Sequence, residues 1–168
     1  SFKKAMALDP SNPKPKIDLV KTLLRQSLDD EAYQLLLKIV EQHRDFAPGS
    51  ELLASLELKR KQPLRAKNIY RYLYGLDPTN VNALYMQGFI PLMSGQLDES
   101  IPVSERLLAE FPDDYLTSLL RGMIAYHQDA FDDALINLTA SMQANQTALG
   151  SYFLGLSYFK TDRLELSI

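Results

Sequence analysis

The chain has 168 residues, 46% apolar and 23% charged, with a net charge of −3. That length and composition support a sizeable buried core and exclude a disordered chain. The acidic balance, with a pI of about 5.4, lacks the basic stripe of a protein that lives on phosphate backbones, so no nucleic-acid partner is expected.

The densest cluster of cations, Lys59-Arg60-Lys61 with Arg65 and Lys67, reads as a solvated helix end. There is no cysteine, which excludes disulfides and thiolate metal sites but fixes no compartment. No apolar run reaches the length of a membrane span, and no signal-peptide pattern opens the chain.

Taken in chain order, residues 1–12 read as the tail of a helix with Phe2, Ala5 and Leu8 as its apolar face. Ser1 therefore falls inside a helix, and the chain is expected to be a fragment. Four full units follow, 13–46, 47–80, 81–114 and 115–147, and a partial one occupies 148–168. Three residue series set this phase. Ala32, Ala66, Ser100 and Ala134 are spaced 34 apart, as are Val20, Ala54, Gly88 and Gly122. Pro10, Pro78 and Pro112 keep the same step, the first interval being doubled, and stand where a helix must stop.

Each unit divides into two helical patterns, with apolar residues at three- and four-residue spacing, as in Leu35, Leu36, Ile39 and Val40. In the third unit helices are predicted over 81–94 and 97–110 around the turn Ser94-Gly95-Gln96. In the fourth they span 115–128 and 131–143 around Gln128-Asp129-Ala130. Pro91 falls inside a first helix and is expected to kink it, or through divergence to be merely tolerated. Pro102 lies early in the next helix, where it is better borne. Such helix pairs cannot bury their apolar faces alone, but stacked neighbours can. The small residues of the two 34-step series belong where helix backbones approach closely. The fold class is therefore an all-α solenoid of antiparallel helix pairs.

Tyr152-x-Leu154-Gly155 with Tyr158 resembles the aromatic-x-Leu-Gly-x-x-Tyr core of the tetratricopeptide repeat. Gly95-Gln96-Leu97-Asp98-Glu99-Ser100 resembles its inter-helix turn and second-helix start, as does Phe131-Asp132-Asp133-Ala134. Leu76-Asp77-Pro78 resembles the close of a unit. Arg44 and Gln146 replace the usual closing prolines, and the first two full units lack the core glycine. The resemblance implies a right-handed superhelix that binds a protein or peptide partner, does no chemistry and needs no cofactor. An alternative is the repeat arm of a larger bacterial assembly or enzyme, such as an exopolysaccharide export system.

In that family the first helix of each unit lines a concave groove, which here would run from charged to aromatic. Lys21 and Arg25 would lie at the charged end. Tyr85, Met86, Phe89 and Met93 come from the third unit, Leu120, Met123 and Tyr126 from the fourth, and Tyr152, Phe153, Leu156 and Phe159 from the fifth. For any one of these side chains, core between helices is the competing assignment. The family's carboxylate clamp is a partial match at best, because Ile17, Asp18 and Leu52 occupy slots that want polar or basic groups. An amphipathic helix or extended apolar segment is therefore the expected occupant. Self-association through an open C-terminal end is also expected, since solenoids normally close with polar caps.

Catalytic and metal patterns are missing. His43 and His127 have no ligand partner at helical spacing and read as helix-surface or helix-end residues. Asp129, Asp132 and Asp133, like the pairs Asp29-Asp30 and Asp113-Asp114, suit turns and helix N-termini. No glycine-rich phosphate loop occurs. The triplets beginning at Asn137 and Asn145 match a glycosylation acceptor by chance, Asn137 falling mid-helix.

Overall fold

The computed structural model describes residues 12–161, and every regular element among them is an α-helix. Phe2, Ala5, Leu8, Pro10 and Ile168 lie outside the described residues. The helices are α1 (Lys14–Arg25), α2 (Asp29–Gln42), α3 (Ala47–Lys59), α4 (Pro63–Leu76), α5 (Val81–Met93), α6 (Leu97–Glu110), α7 (Tyr115–His127), α8 (Phe131–Ala144) and α9 (Ala148–Lys160). They fall into two compact units, Ser1–Leu76 holding α1–α4 and Asp77–Ile168 holding α5–α9.

Within unit 1 each helix packs on the next in sequence. The core joins Ile17 and Val20 of α1, Ala32, Leu36 and Ile39 of α2, and Leu53 and Leu56 of α3. In unit 2 the leading helices α5, α7 and α9 also touch one another directly, α5 on α7 and α7 on α9. They form one layer, backed by the trailing helices α6 and α8.

Small side chains permit these close approaches. Val20, Ala54, Ala32, Ala66, Ser100 and Ala134 are all fully buried. A Cβ added at Gly88 would stand 2.7 Å from Leu120 and 3.0 Å from Val103. One added at Gly122 would meet Leu138 Cγ at 2.6 Å and the Leu138 backbone nitrogen at 3.0 Å. The buried hydroxyl of Ser100 donates to the Gly88 carbonyl at 2.8 Å, so the α5–α6 contact also satisfies a polar group.

Helix starts use prolines and side-chain oxygens, the latter including Asn12 Oδ1, which accepts from Lys14 N–H at the start of α1 at 3.0 Å. Prolines open α1, α3 and α4, where a missing N–H costs nothing. In unit 2, side-chain oxygens of Asn80, Asp114 and Thr147 accept from backbone N–H groups in the first turns of α5, α7 and α9. Pro91 does not interrupt α5, which runs as one helix to Met93. It sits in the last turn, where its carbonyl accepts from Gln96 at 2.9 Å and helps to close the turn.

The same closure recurs at the same phase. Ser27, Lys61, Gly95 and Asp129 have positive φ, between 58° and 76°. Each is flanked by a pair of backbone bonds of the Schellman type, such as Leu28 N–H to Leu23 carbonyl with Ser27 N–H to Leu24 carbonyl. Only one of the four is glycine, so three turns bear the left-handed penalty of a side chain, roughly 1 kcal/mol. Lys61→Gly is expected to raise stability by about 0.5–1 kcal/mol and Gly95→Ala to lower it by about 1 kcal/mol. Urea unfolding monitored by circular dichroism measures both; equal midpoints for Lys61→Gly and wild type would contradict the strained-turn assignment.

Candidate protein-binding surfaces

Most aromatic residues of unit 2 lie on the leading helices, and the structure divides them by depth. On α5, Tyr85 is buried and its ring stacks on half-buried Phe89, with centroids 5.4 Å apart and planes at 16°. Burial pushes the Tyr85 hydroxyl far above the usual tyrosine range, with a smaller contribution from Tyr115. Between α7 and α9, Tyr126 meets Phe153 edge-on at 5.4 Å, and it also meets Phe131 at 5.8 Å. Tyr152 packs edge-on against Phe153 at 5.4 Å.

Leu120 and Met123 are completely buried and do not line a groove. The reason is positional: α7 touches α5, α6, α8 and α9, so most of its circumference is core. Tyr85 and Phe153, 5% and 4% exposed, are likewise inter-helix residues that support the surface from beneath. Met86, Phe89, Tyr126 and Leu156 are half-buried. Met93, Tyr152 and Phe159 are 54%, 61% and 59% exposed. Lys21 and Arg25 belong to α1 of unit 1, both exposed, with the Arg25 Nε donating to the Lys21 carbonyl at 3.3 Å.

Unit 1 holds a polar cluster that the sequence reading did not single out. Glu57 of α3 is 3% exposed. Its Oε1 accepts from the Tyr33 hydroxyl at 2.7 Å and lies 3.9 Å from Arg65, while its Oε2 has no hydrogen-bond partner. The Arg60 guanidinium covers the Tyr33 ring at 4.4 Å and pairs with Asp30 at 2.9 Å. The bond to Glu57, with burial second, raises the Tyr33 pKa above its ordinary value. The signal was available, since Leu23, Pro91 and Ala125 occupy the same slot at 34-residue steps. A lone acid in an apolar series marks a specialised position.

His43 follows the last turn of α2 and His127 ends α7. Asp29 and Asp30, and Asp132 and Asp133, lie in first turns of helices, and Asp129 in a turn. Among the described residues no group of three or more His, Asp or Glu could hold a metal ion. No described helix is long and apolar enough to cross a membrane.

A stack of antiparallel helix pairs with a 34-residue phase defines an all-α helical-repeat fold. Residues 1–56 match the family model described as tetratricopeptide repeat. Solved structures extend the fold likeness along the chain. YrrB, described as a tetratricopeptide-repeat protein with an unusual peptide-binding site, is 18% identical, covers 100% of this chain and 87% of its own, and gives a TM-score of 0.66. A chain of the Cut9–Hcn1 hetero-tetramer of the APC/C is 14% identical with a TM-score of 0.84 over 99% of this chain, which spans 33% of that one. A tetratricopeptide-repeat protein from Parabacteroides merdae is 17% identical, covers 99% of this chain and 66% of its own, and scores 0.77. No curated protein matches significantly by sequence. The family match therefore covers the first third of the chain, and the solved structures show that the fold is shared along the rest.

The buried tyrosine gives a pH test. Well below pH 10, the ordinary tyrosine value, both folded and unfolded chains keep the Tyr85 proton. Above it the unfolded chain ionises first, so stability falls as pH rises, by up to about 1.4 kcal/mol per pH unit for one group. Tyr33 and Tyr70 are shifted in the same direction. Tyr85→Phe, which keeps the ring, is expected to make the fall in urea midpoint above that pH shallower. An unchanged slope would show that Tyr85 ionises as freely in the folded chain.

Proposed function

We propose that the leading-helix layer of unit 2 docks an apolar or amphipathic segment of a partner protein. The observation that carries this reading is the exposure of Met93, Tyr152 and Phe159, more than half of each reaching solvent, on helices whose half-buried neighbours Phe89, Tyr126 and Leu156 widen the same apolar layer. Exposed aromatics and methionine held on rigid helices are what such docking needs: large contact area, little rotamer entropy to lose, and adaptability from the thioether. The peptide-binding site in the description of YrrB supports a peptide as occupant. The arm of an export assembly finds no support in the family match or the structural neighbours.

Tyr152→Ala/Phe159→Ala is the informative variant, because both rings are exposed and the fold should survive their loss. Tyr85→Ala would instead remove a buried ring, at a cost of about 3–5 kcal/mol to stability. Partners captured from the source organism by the wild-type chain are expected to lose affinity for the double variant by about tenfold or more, with an unchanged melting temperature. Equal retention by the folded double variant would overturn the proposal.

A further inference from the structure

A separate pocket lies in unit 1, between its trailing helices. α2 and α4 both pack on α3 and leave between them a pocket of about 410 Å³. Its lining is mainly apolar, from Leu37 and Val40 of α2, Leu53 of α3, and Ile69 and Tyr72 of α4, joined by Glu41 and Arg44. Leu37 and Tyr72 remain substantially exposed. The Tyr72 hydroxyl lies 3.5 Å from the Arg44 carbonyl and from Asp45 Oδ1, which ties one wall to the α2–α3 loop. The volume falls in the range of pockets that hold ligand groups.

Charge at the pocket itself is mixed, with Glu41 and Arg44 in its lining, but the unit that holds it is basic. From Lys59 through Arg71 there are six cations and no acid, and α4 alone carries Arg65, Lys67 and Arg71. Over residues 1–76 there are fourteen Lys and Arg against nine Asp and Glu, a net of +5. Residues 77–168 hold four against twelve, a net of −8, and the two together give the −3 of the chain. Arg71 lies three residues from Asn68, which lines the pocket, on the same flank of α4. Among the described residues neither Arg44 nor Arg71 makes an ion pair. Glu41 and Asp45 are the acids on the opposite side, and Asp45 is turned to Tyr72.

We propose that the α2–α4 groove of unit 1 docks an acidic amphipathic segment of a partner protein. Its apolar side chains seat on Leu37, Val40, Leu53 and Ile69, and its carboxylates face Arg44 and Arg71. The apolar floor favours a protein over a polyanion, because phosphates would satisfy the arginines and leave the floor empty. Glu41 also interrupts the basic rim that a nucleic-acid backbone would follow. This groove is separate from the unit 2 layer in both residues and charge, and neither reading depends on the other.

The test uses the whole chain and a synthetic amphipathic helix with Leu at i, i+4 and i+7 and Glu on the flanks, followed by fluorescence anisotropy. A twin peptide carrying Lys in place of Glu, an oligo(U) RNA and phosphatidylserine vesicles serve as comparisons. The acidic peptide is expected to bind about tenfold or more tighter than its lysine twin and to weaken at high salt. Arg44→Glu/Arg71→Glu and Leu37→Asp should each weaken it by about tenfold or more without lowering the melting temperature, all three sites being exposed. Tyr152→Ala/Phe159→Ala should leave it unchanged, which separates this groove from the unit 2 layer. Equal affinity for both peptides, no binding, or binding that survives the arginine reversal would overturn the proposal. So would RNA or vesicles binding through the two arginines in place of the peptide. Sedimentation of the chain alone covers the remaining occupant: self-association abolished by Arg44→Glu/Arg71→Glu would assign the groove to a second copy.

Discussion

Close approach of the two helices within a repeat is the constraint on which the rest of this structure depends. Helices can approach this closely only where the side chain at the crossing is small. The approach is seen at Gly88 with Ser100 and at Gly122 against Leu138, and the same repeat positions carry Val20 and Ala32, Ala54 and Ala66, and Ala134. All of these are buried. At Gly122 the fit is close enough that a methyl group would meet the backbone of α8. The layer of leading helices, and with it the exposure of Tyr152 and Phe159, depends on those approaches.

The turns serve the same constraint from the other side. Two helices return antiparallel only if the chain reverses within a few residues, and the left-handed residue at 27, 61, 95 and 129 does this four times with the same hydrogen-bond pattern. Three of the four pay for it with a side chain in an unfavourable region, a sign that tertiary contact between the helices outweighs local preference. Glu57 is a similar local exception, held by Tyr33 and Arg65 in a slot that is apolar elsewhere in the chain.

Much of this architecture was legible in the sequence, because a repeat states its own phase. The small-residue series located the helix crossings, and the helices read over 97–110 and 115–128 are α6 and α7 to within a residue. Depth was not legible. A helical wheel tells which residues share a face but not how many neighbours cover it, so Leu120 and Met123 read as groove residues when α7 is surrounded by four helices. Pro91 read as a mid-helix residue because its place in the last turn of α5 depended on where that helix ends. The groove between α2 and α4 was invisible for a further reason: it is made by two helices that do not follow one another in sequence. Nothing in either pattern alone reports the gap between them.

Stability of two alanine variants tests the central claim most directly. In an isolated helix, Gly→Ala stabilises by up to about 1 kcal/mol. Gly75, in α4, has open space where a Cβ would go, so Gly75→Ala should raise the urea midpoint. Gly122→Ala carries the same helix preference but drives its methyl into Leu138, and should lower stability by about 1–3 kcal/mol. Opposite signs would establish that close helix approach governs the array. A Gly122→Ala chain as stable as Gly75→Ala would contradict it.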